Sequence, residues 1–283
     1  MLINCVAYED GRKLADIPIE TIDQWLLRPG CFVWVALADA TDAELREMQH
    51  EFDLHELAVE DARHGHQRPK IEEYGATLFV VMKLPEWADG ELEFGEIAIF
   101  VGANFVLSVR NRSAHGFLGV RERCEREPGH LRQGAGVVLY ALMDAVVDRY
   151  FPVIDALETE LEAIEDTIFD RGAAHRNIQR LYALKQRATD MRHVVAPLVE
   201  VAGKLHGGRV PAVCVNTQEY FRDVHDHLAR INSAIDAMRE TIGTAIQVNL
   251  SMVTIEESET TKRLAAWAAI FAVSTAMAGI WGM

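Results

Sequence analysis

The sequence predicts an α+β protein: an N-terminal α/β domain followed by long helices, the last of which is very long and runs into a membrane-length apolar end. Three observations carry this. Short apolar runs bounded by turn residues are confined to about the first 112 residues. From about residue 115 onward, helical periodicity replaces them. Finally, no proline occurs between Asn216 and Met283. A helix of that length, at about 1.5 Å per residue, would reach about 100 Å, so it is expected to protrude and pack against copies of itself.

Taken in order, Cys31–Leu37 is a short apolar run that reads as a buried strand. Thr41 followed by Glu44 is a capping-box pair, and Leu45, Met48 and Phe52 give the amphipathic helix it opens. Ala76–Leu84, rich in Val and Phe, reads as a strand, with a turn from Pro85 to Gly90. Phe94–Val101 and Asn104–Arg110 read as strands joined in a hairpin across Gly102-Ala103. Gly136–Phe169 reads as one helix bent or interrupted at Pro152. Arg171-Gly172 ends it, and His175–Leu205 is a second helix containing Pro197. Gly207-Gly208 and Pro211 form a loop before the long helix. The expected parts are residues 1–130 (α/β domain), 131–215 (long helices of the same domain), 216–262 (stalk) and 263–283 (membrane helix).

Composition narrows the function. With 49% apolar and 25% charged residues, the chain can build a packed core. A net charge of −15 excludes a nucleic-acid partner, which needs a basic face, and favours attraction of cations. Cys5, Cys31, Cys124 and Cys214 show no metal-binding spacing and read as reduced, buried thiols. The N-terminus is charged too early for a secretory signal. No nucleophile–base pair, P-loop or dinucleotide fingerprint occurs, so the sequence does not read as an enzyme.

From Leu264 to Met283 there is no charged residue, and Trp267, Phe271, Met277, Ile280 and Trp281 leave no polar face. A hydrocarbon core of about 30 Å needs roughly 20 such residues. Lys262 and Arg263 stand just before the span, which places the preceding residues in the cytoplasm by the positive-inside tendency.

The long helix carries two seams. Phe221, Val224, Leu228, Ile231, Ile235, Met238, Ile242 and Ala245 alternate three and four apart up to Asn249, a pattern of helix packing. The second seam starts at Thr244 and runs through Gln247, Ser251, Thr254, Ser258 and Thr261. In phase it continues through Ala265, Ala268, Ala272, Thr275, Gly279 and Gly282. Small residues inside a membrane suit close helix packing. They equally suit a water-filled pore, and packing alone does not explain why the line continues as Ser, Thr and Gln below the span, so the pattern leaves both readings open.

The segment AAWAAIFAVSTAMAGIWGM resembles the first transmembrane helix of the CorA family of magnesium and cobalt transport proteins, within the superfamily that carries a Gly-x-Asn signature. That helix ends in Gly-Met-Asn after an aromatic residue. Trp281, Gly282 and Met283 match, and the chain is expected to be cut just before the asparagine. His55-Glu-Leu-Ala-Val-Glu-Asp61 with His66-Gln-Arg-Pro-Lys-Ile-Glu72 is similar to the family's H-P-L-x-x-E-D…Q-R-P-K-x-E stretch. Leu139–Phe151 looks like its central helix, and Tyr220–His227 like its stalk segment. Departures occur at Thr261 and Ala272, where the family often has bulky apolar residues, leaving Leu264 as the main candidate for an apolar gate.

The resemblance implies a funnel-shaped homopentamer in the cell inner membrane, with the N-terminal domain cytoplasmic and lipid around the span. It implies a channel for Mg²⁺, with Co²⁺ and Ni²⁺ tolerated, lined by Thr261, Leu264, Ala265, Ala268, Ala272, Thr275, Gly279, Gly282 and Met283. It also implies that intracellular Mg²⁺ closes the channel at subunit interfaces through Asp61 and Asp223, with Glu60, Asp226 and His227 nearby. His64, His66, His225 and His227 read by spacing alone as surface or interface residues. Two alternatives stay open: a zinc transporter of the ZntB type, and a tail-anchored cytoplasmic sensor or scaffold.

Overall fold

A computed structural model of the chain describes every residue except Arg171, Gly208, Arg209 and Met283. The N-terminal elements are β1 (Leu2–Glu9), β2 (Arg12–Asp16), α1 (Ile22–Leu26), β3 (Cys31–Ala38), α2 (Asp42–Phe52), α3 (Glu56–His64), β4 (Lys70–Tyr74), β5 (Thr77–Ala88), β6 (Glu91–Val101) and β7 (Phe105–Asn111). Helices α4 (Leu118–Arg126), α5 (Pro128–Leu131), α6 (Ala135–Asp148), α7 (Tyr150–Glu165), α8 (Ala174–His206) and α9 (Gln218–Ile280) follow. The α+β class and the long final helix are as expected. Contacts divide the chain into two units. One comprises Met1–Asp155 with Asp190–Ile235, the other Ala156–Thr189 with Asp236–Met283.

In the first unit, seven strands form one sheet in the order β2-β1-β3-β7-β6-β5-β4. Only β3 and β7 pair in parallel. Strand β3 is apolar on both faces because it lies inside the sheet with a layer on each side, as its uninterrupted run CFVWVALA requires. On one face Val33, Val35, Phe79, Phe100, Leu107 and Val109 pack with Leu45, Met48 and Phe52 of α2 and Ala58, Val59 and Ala62 of α3. The Thr41–Glu44 capping box is formed, and it fixes where α2 begins. On the other face α6 packs over β5, β6 and β7. Gly136 is where α6 meets the turn at Ala212–Thr217. A Cβ there would stand 2.4 Å from the Val213 carbonyl oxygen, so only glycine allows the approach.

The structure corrects two local expectations. Pro85–Gly90 is not all turn: β5 continues to Ala88, and the reversal is made by Asp89 and Gly90, at φ +50° and +84°. Pro85 is tolerated because β4 pairs only with Thr77–Val81, leaving Pro85 a neighbour on the β6 side alone. The helix expected over Gly136–Phe169 is two helices that part at Arg149. Pro152 sits in the first turn of α7, where its lack of an N–H costs nothing. Pro197, by contrast, lies inside α8 without ending it. Of the breaks expected in the loops, Arg171 and Gly208 lie outside the described residues. Strands β1, β2 and β4 were not anticipated. Asp10-Gly11, at φ +51° and +77°, is the hairpin signal that would have shown the first two.

The first seam of α9 is buried. In the first unit Phe221, Val224, Leu228 and Ile235 are 0% exposed, and in the second Ile242 is as well. It ends, as expected, at Asn249, which is fully buried in the second unit and donates through Nδ2 to the Ala174 carbonyl, 2.8 Å away. The second unit is further joined by Arg187 of α8, which pairs with Glu160 of α7 at 2.8 Å.

Candidate functional site

Two sets of residues stand out, and each follows from how its helix is built. The first is the C-terminal part of α9. Every residue from Thr261 to Gly282 is exposed. The most apolar 18-residue stretch of this helix has a mean hydropathy of 1.5, and none of it is buried. Leu264, Trp267, Phe271, Ile280 and Trp281 are all more than half exposed. A continuous apolar surface of this extent needs an apolar surrounding or partner.

On this segment Thr261, Ala265, Ala268, Ala272, Thr275 and Gly279 follow one line of the helix at steps of three and four, with Leu264 beside it. Gly282 follows the helix end at φ +70°. Met283 lies outside the described residues. The hydroxyls along the line are oriented by the helix itself. Ser251, Thr254, Thr261 and Thr275 each donate to the carbonyl one turn back, at 2.9–3.1 Å. A hydroxyl has one proton and two lone pairs, so these side chains keep acceptor capacity on their outer side.

The second set is acidic. Asp223 and His227 stand one turn apart on α9, and Asp144 reaches them from α6. One ligand atom of each lies within 4.8 Å of the others. Aromatic contacts fix the two helices locally. Tyr140 of α6 packs on Tyr220 and Phe221, and Phe151 meets the His227 ring edge-on at 5.8 Å. His227 Nε2 is 3.8 Å from Asp223 Oδ1, and His227 Nδ1 is buried with no partner among the described residues. Burial, and after it the nearby Asp148 carboxylate, raise the Asp144 pKa above its ordinary value. Arg123, 3.0 Å from Asp144 Oδ2, works against that rise. Like charges partly removed from water are an arrangement that a bound cation relieves.

Two carboxylates and an imidazole fit a divalent cation. The carboxylate oxygens suit Mg²⁺, which keeps several waters. The imidazole is a better ligand for Co²⁺, Ni²⁺ or Zn²⁺. The other expected metal residues are not part of this cluster. Asp61 pairs with Lys70 at 2.6 Å, and the same ammonium holds Glu72 at 2.8 Å. Glu60 is exposed, and Asp226 is exposed beside His225, with 3.5 Å between Asp226 Oδ1 and His225 Nδ1. Asp144 was missed from sequence. The signal was available: Asp144 and Asp148 are carboxylates one turn apart in a 14-residue helix whose other side chains are almost all apolar.

The family model described as CorA-like Mg2+ transporter protein matches residues 30–283. The cobalt/magnesium transport protein CorA of Thermotoga maritima is 33% identical over 235 residues, covering 82% of this chain and 67% of that protein. Among solved structures, full-length CmaX superposes with a TM-score of 0.84 at 19% identity, covering 100% of this chain and 86% of that one. The complete CorA magnesium transporter of Methanocaldococcus jannaschii superposes with a TM-score of 0.76 at 18% identity, covering 100% and 88%.

Proposed function

The chain belongs to the CorA-like Mg2+ transporter protein family, and on that premise we propose that it carries Mg²⁺, and Co²⁺ with it, across the inner membrane. The pore is lined by the second seam of α9 from several copies of the chain, five by family pattern. Residues 216–262 serve as the stalk and 263–283 as the membrane part, with residues 1–215 in the cytoplasm. The observation that carries this reading is the exposed line of small and hydroxyl-bearing residues on a membrane-length helix, continued as Ser, Thr and Gln before the span.

The chemistry of the line suits the cargo. Mg²⁺ sheds its water reluctantly, and its bound waters point their hydrogens outward. A wall meeting that shell must accept hydrogen bonds. Thr261 and Thr275, whose protons are spent on backbone carbonyls, offer oxygen lone pairs. From Thr244 to Gly282 the line carries no carboxylate, which avoids holding the ion too tightly for rapid release. Thr275 is the inner coordinating ring, and Gly279 and Gly282 let the backbones approach closely.

Regulation falls to the acidic cluster. Mg²⁺ held by Asp223 and His227, with Asp144 as the added ligand, relieves repulsion at the α6–α9 contact and favours the closed state. Asp61 and Glu60 join a cation site only when Lys70 gives up Asp61.

The test is Mg²⁺ entry into liposomes carrying the full-length protein, followed with an internal Mg²⁺ dye. Thr275→Val is expected to slow entry about tenfold, the equivalent of one lost hydrogen bond to the charged, hydrated ion. Unchanged entry removes Thr275 from the pore, and a wild-type protein that admits no divalent cation overturns the transport reading.

A further inference from the structure

The sheet face turned away from α2 and α3 holds a cavity that ion transport leaves unused, and we propose that it binds a small organic anion with an apolar body. Its floor is made by side chains of one sheet face: Asn4 on β1, Trp34 on β3, and Ser108 and Arg110 on β7. Phe117, in the segment that leads into α4, and Leu142 of α6 close it above. The cavity measures about 250 Å³. An apolar cavity of about 150 Å³ takes up benzene, so this one accommodates roughly ten heavy atoms.

The polar groups in the cavity specify what those atoms are. Trp34 is only 2% exposed and gives the floor an aromatic surface. The Ser108 hydroxyl does not compete, because it already donates to the Val35 carbonyl at 3.3 Å. The Arg110 side chain makes no hydrogen bond or ion pair among the described residues, so its guanidinium is free for an anion. A carboxylate answers Arg110, and an aromatic or branched body fills the space against Trp34, Phe117 and Leu142.

The site is built in advance. Glu86 of β5 accepts from the Ser113 hydroxyl and from the backbone N–H groups of Ala114 and His115, the latter two at 3.1 and 3.4 Å. Arg149 donates to the His115 and Gly116 carbonyls at 3.3 and 2.9 Å, and its guanidinium lies 4.2 Å from the Phe117 ring centre. The covering segment is therefore held from both sides, and the cavity does not depend on a ligand to form.

The probe is 4-hydroxybenzoate, a planar anion of ten heavy atoms, added to the full-length protein in detergent and followed by calorimetry. Saturable one-to-one binding is expected. Arg110→Gln should weaken it at least tenfold. Leu142→Trp, which fills the cavity, should abolish it. Benzyl alcohol, similar in shape but uncharged, should bind at least tenfold more weakly. Circular dichroism melts identify any variant that fails to fold, and the benzyl alcohol comparison in the unaltered protein decides the question without one. Absence of saturable binding to the unaltered protein, ordered water as the sole content of the cavity in a crystal soaked with the probe, or binding indifferent to Arg110→Gln would each overturn the proposal.

Discussion

Two stretches of α9 carry large apolar side chains in comparable number and have opposite surroundings. From Phe221 to Ile242 the apolar residues form one stripe, polar residues take the other faces, and the stripe is buried within the chain. From Leu264 to Ile280 the apolar residues cover most of the helix, and every one is exposed. The difference is one of pattern. A stripe needs a protein neighbour on one side only, and the chain supplies it. A helix apolar nearly all round needs an apolar medium, and the fold of one chain does not supply that.

The strongest way to break the contrast is a charge in the second stretch. Ile270→Lys is expected to cost about 3 kcal/mol of membrane insertion, read as loss of protein from the membrane fraction. If the variant inserts normally, the stretch does not face the hydrocarbon. Next comes a cavity in the first stretch. Leu228 is fully buried, and Leu228→Ala should lower unfolding free energy by about 3 kcal/mol in a denaturant melt. Phe271→Ala, at an exposed position, should change the same melt in detergent by less than about 0.5 kcal/mol. Equal effects would erase the distinction.

The smallest effect sharpens what the first stretch does besides packing. Asp144 has a raised pKa in the folded state, for burial first and Asp148 second, so across the interval above its unfolded value the folded chain binds more protons. Stability contributed there falls as pH rises through that interval, because the cluster becomes charged. A divalent cation should restore it. The gain in Tm on adding Mg²⁺ is therefore expected to grow with pH over the Asp144 titration, and Asp144→Asn should flatten that dependence. A gain independent of pH in the unaltered protein would detach the cluster from cation binding.

Much of this was legible beforehand, and the parts that were not share a cause. The Thr41–Glu44 cap, the buried α9 stripe and the hairpin at Gly102 depend on residues close in sequence, and they were read correctly. Asp144 is 79 residues from Asp223, and only the packing of Tyr140 against Tyr220 and Phe221 shows that their helices meet. Lys70 is 9 residues from Asp61, yet the pairing needs β4 to lie beside the end of α3, and β4 was not anticipated. Pro85 misled for the same reason: its tolerance depends on where β4 stops. Local signals set element type, whereas partners across the sheet and between helices decide which charged groups remain available.

The outermost strands of the sheet have a consequence for assembly. β2 and β4 are each five residues long, and between them they carry Arg12, Lys13, Asp16, Lys70, Glu72 and Glu73. Borders so brief and so charged are poor templates for another strand. Crowding copies of this chain side by side, as the proposed pore demands, therefore carries little danger of their sheets fusing into fibres. In the assembly proposed above, recognition between copies is left to helices, whose side chains can specify a closed ring and a fixed number of members.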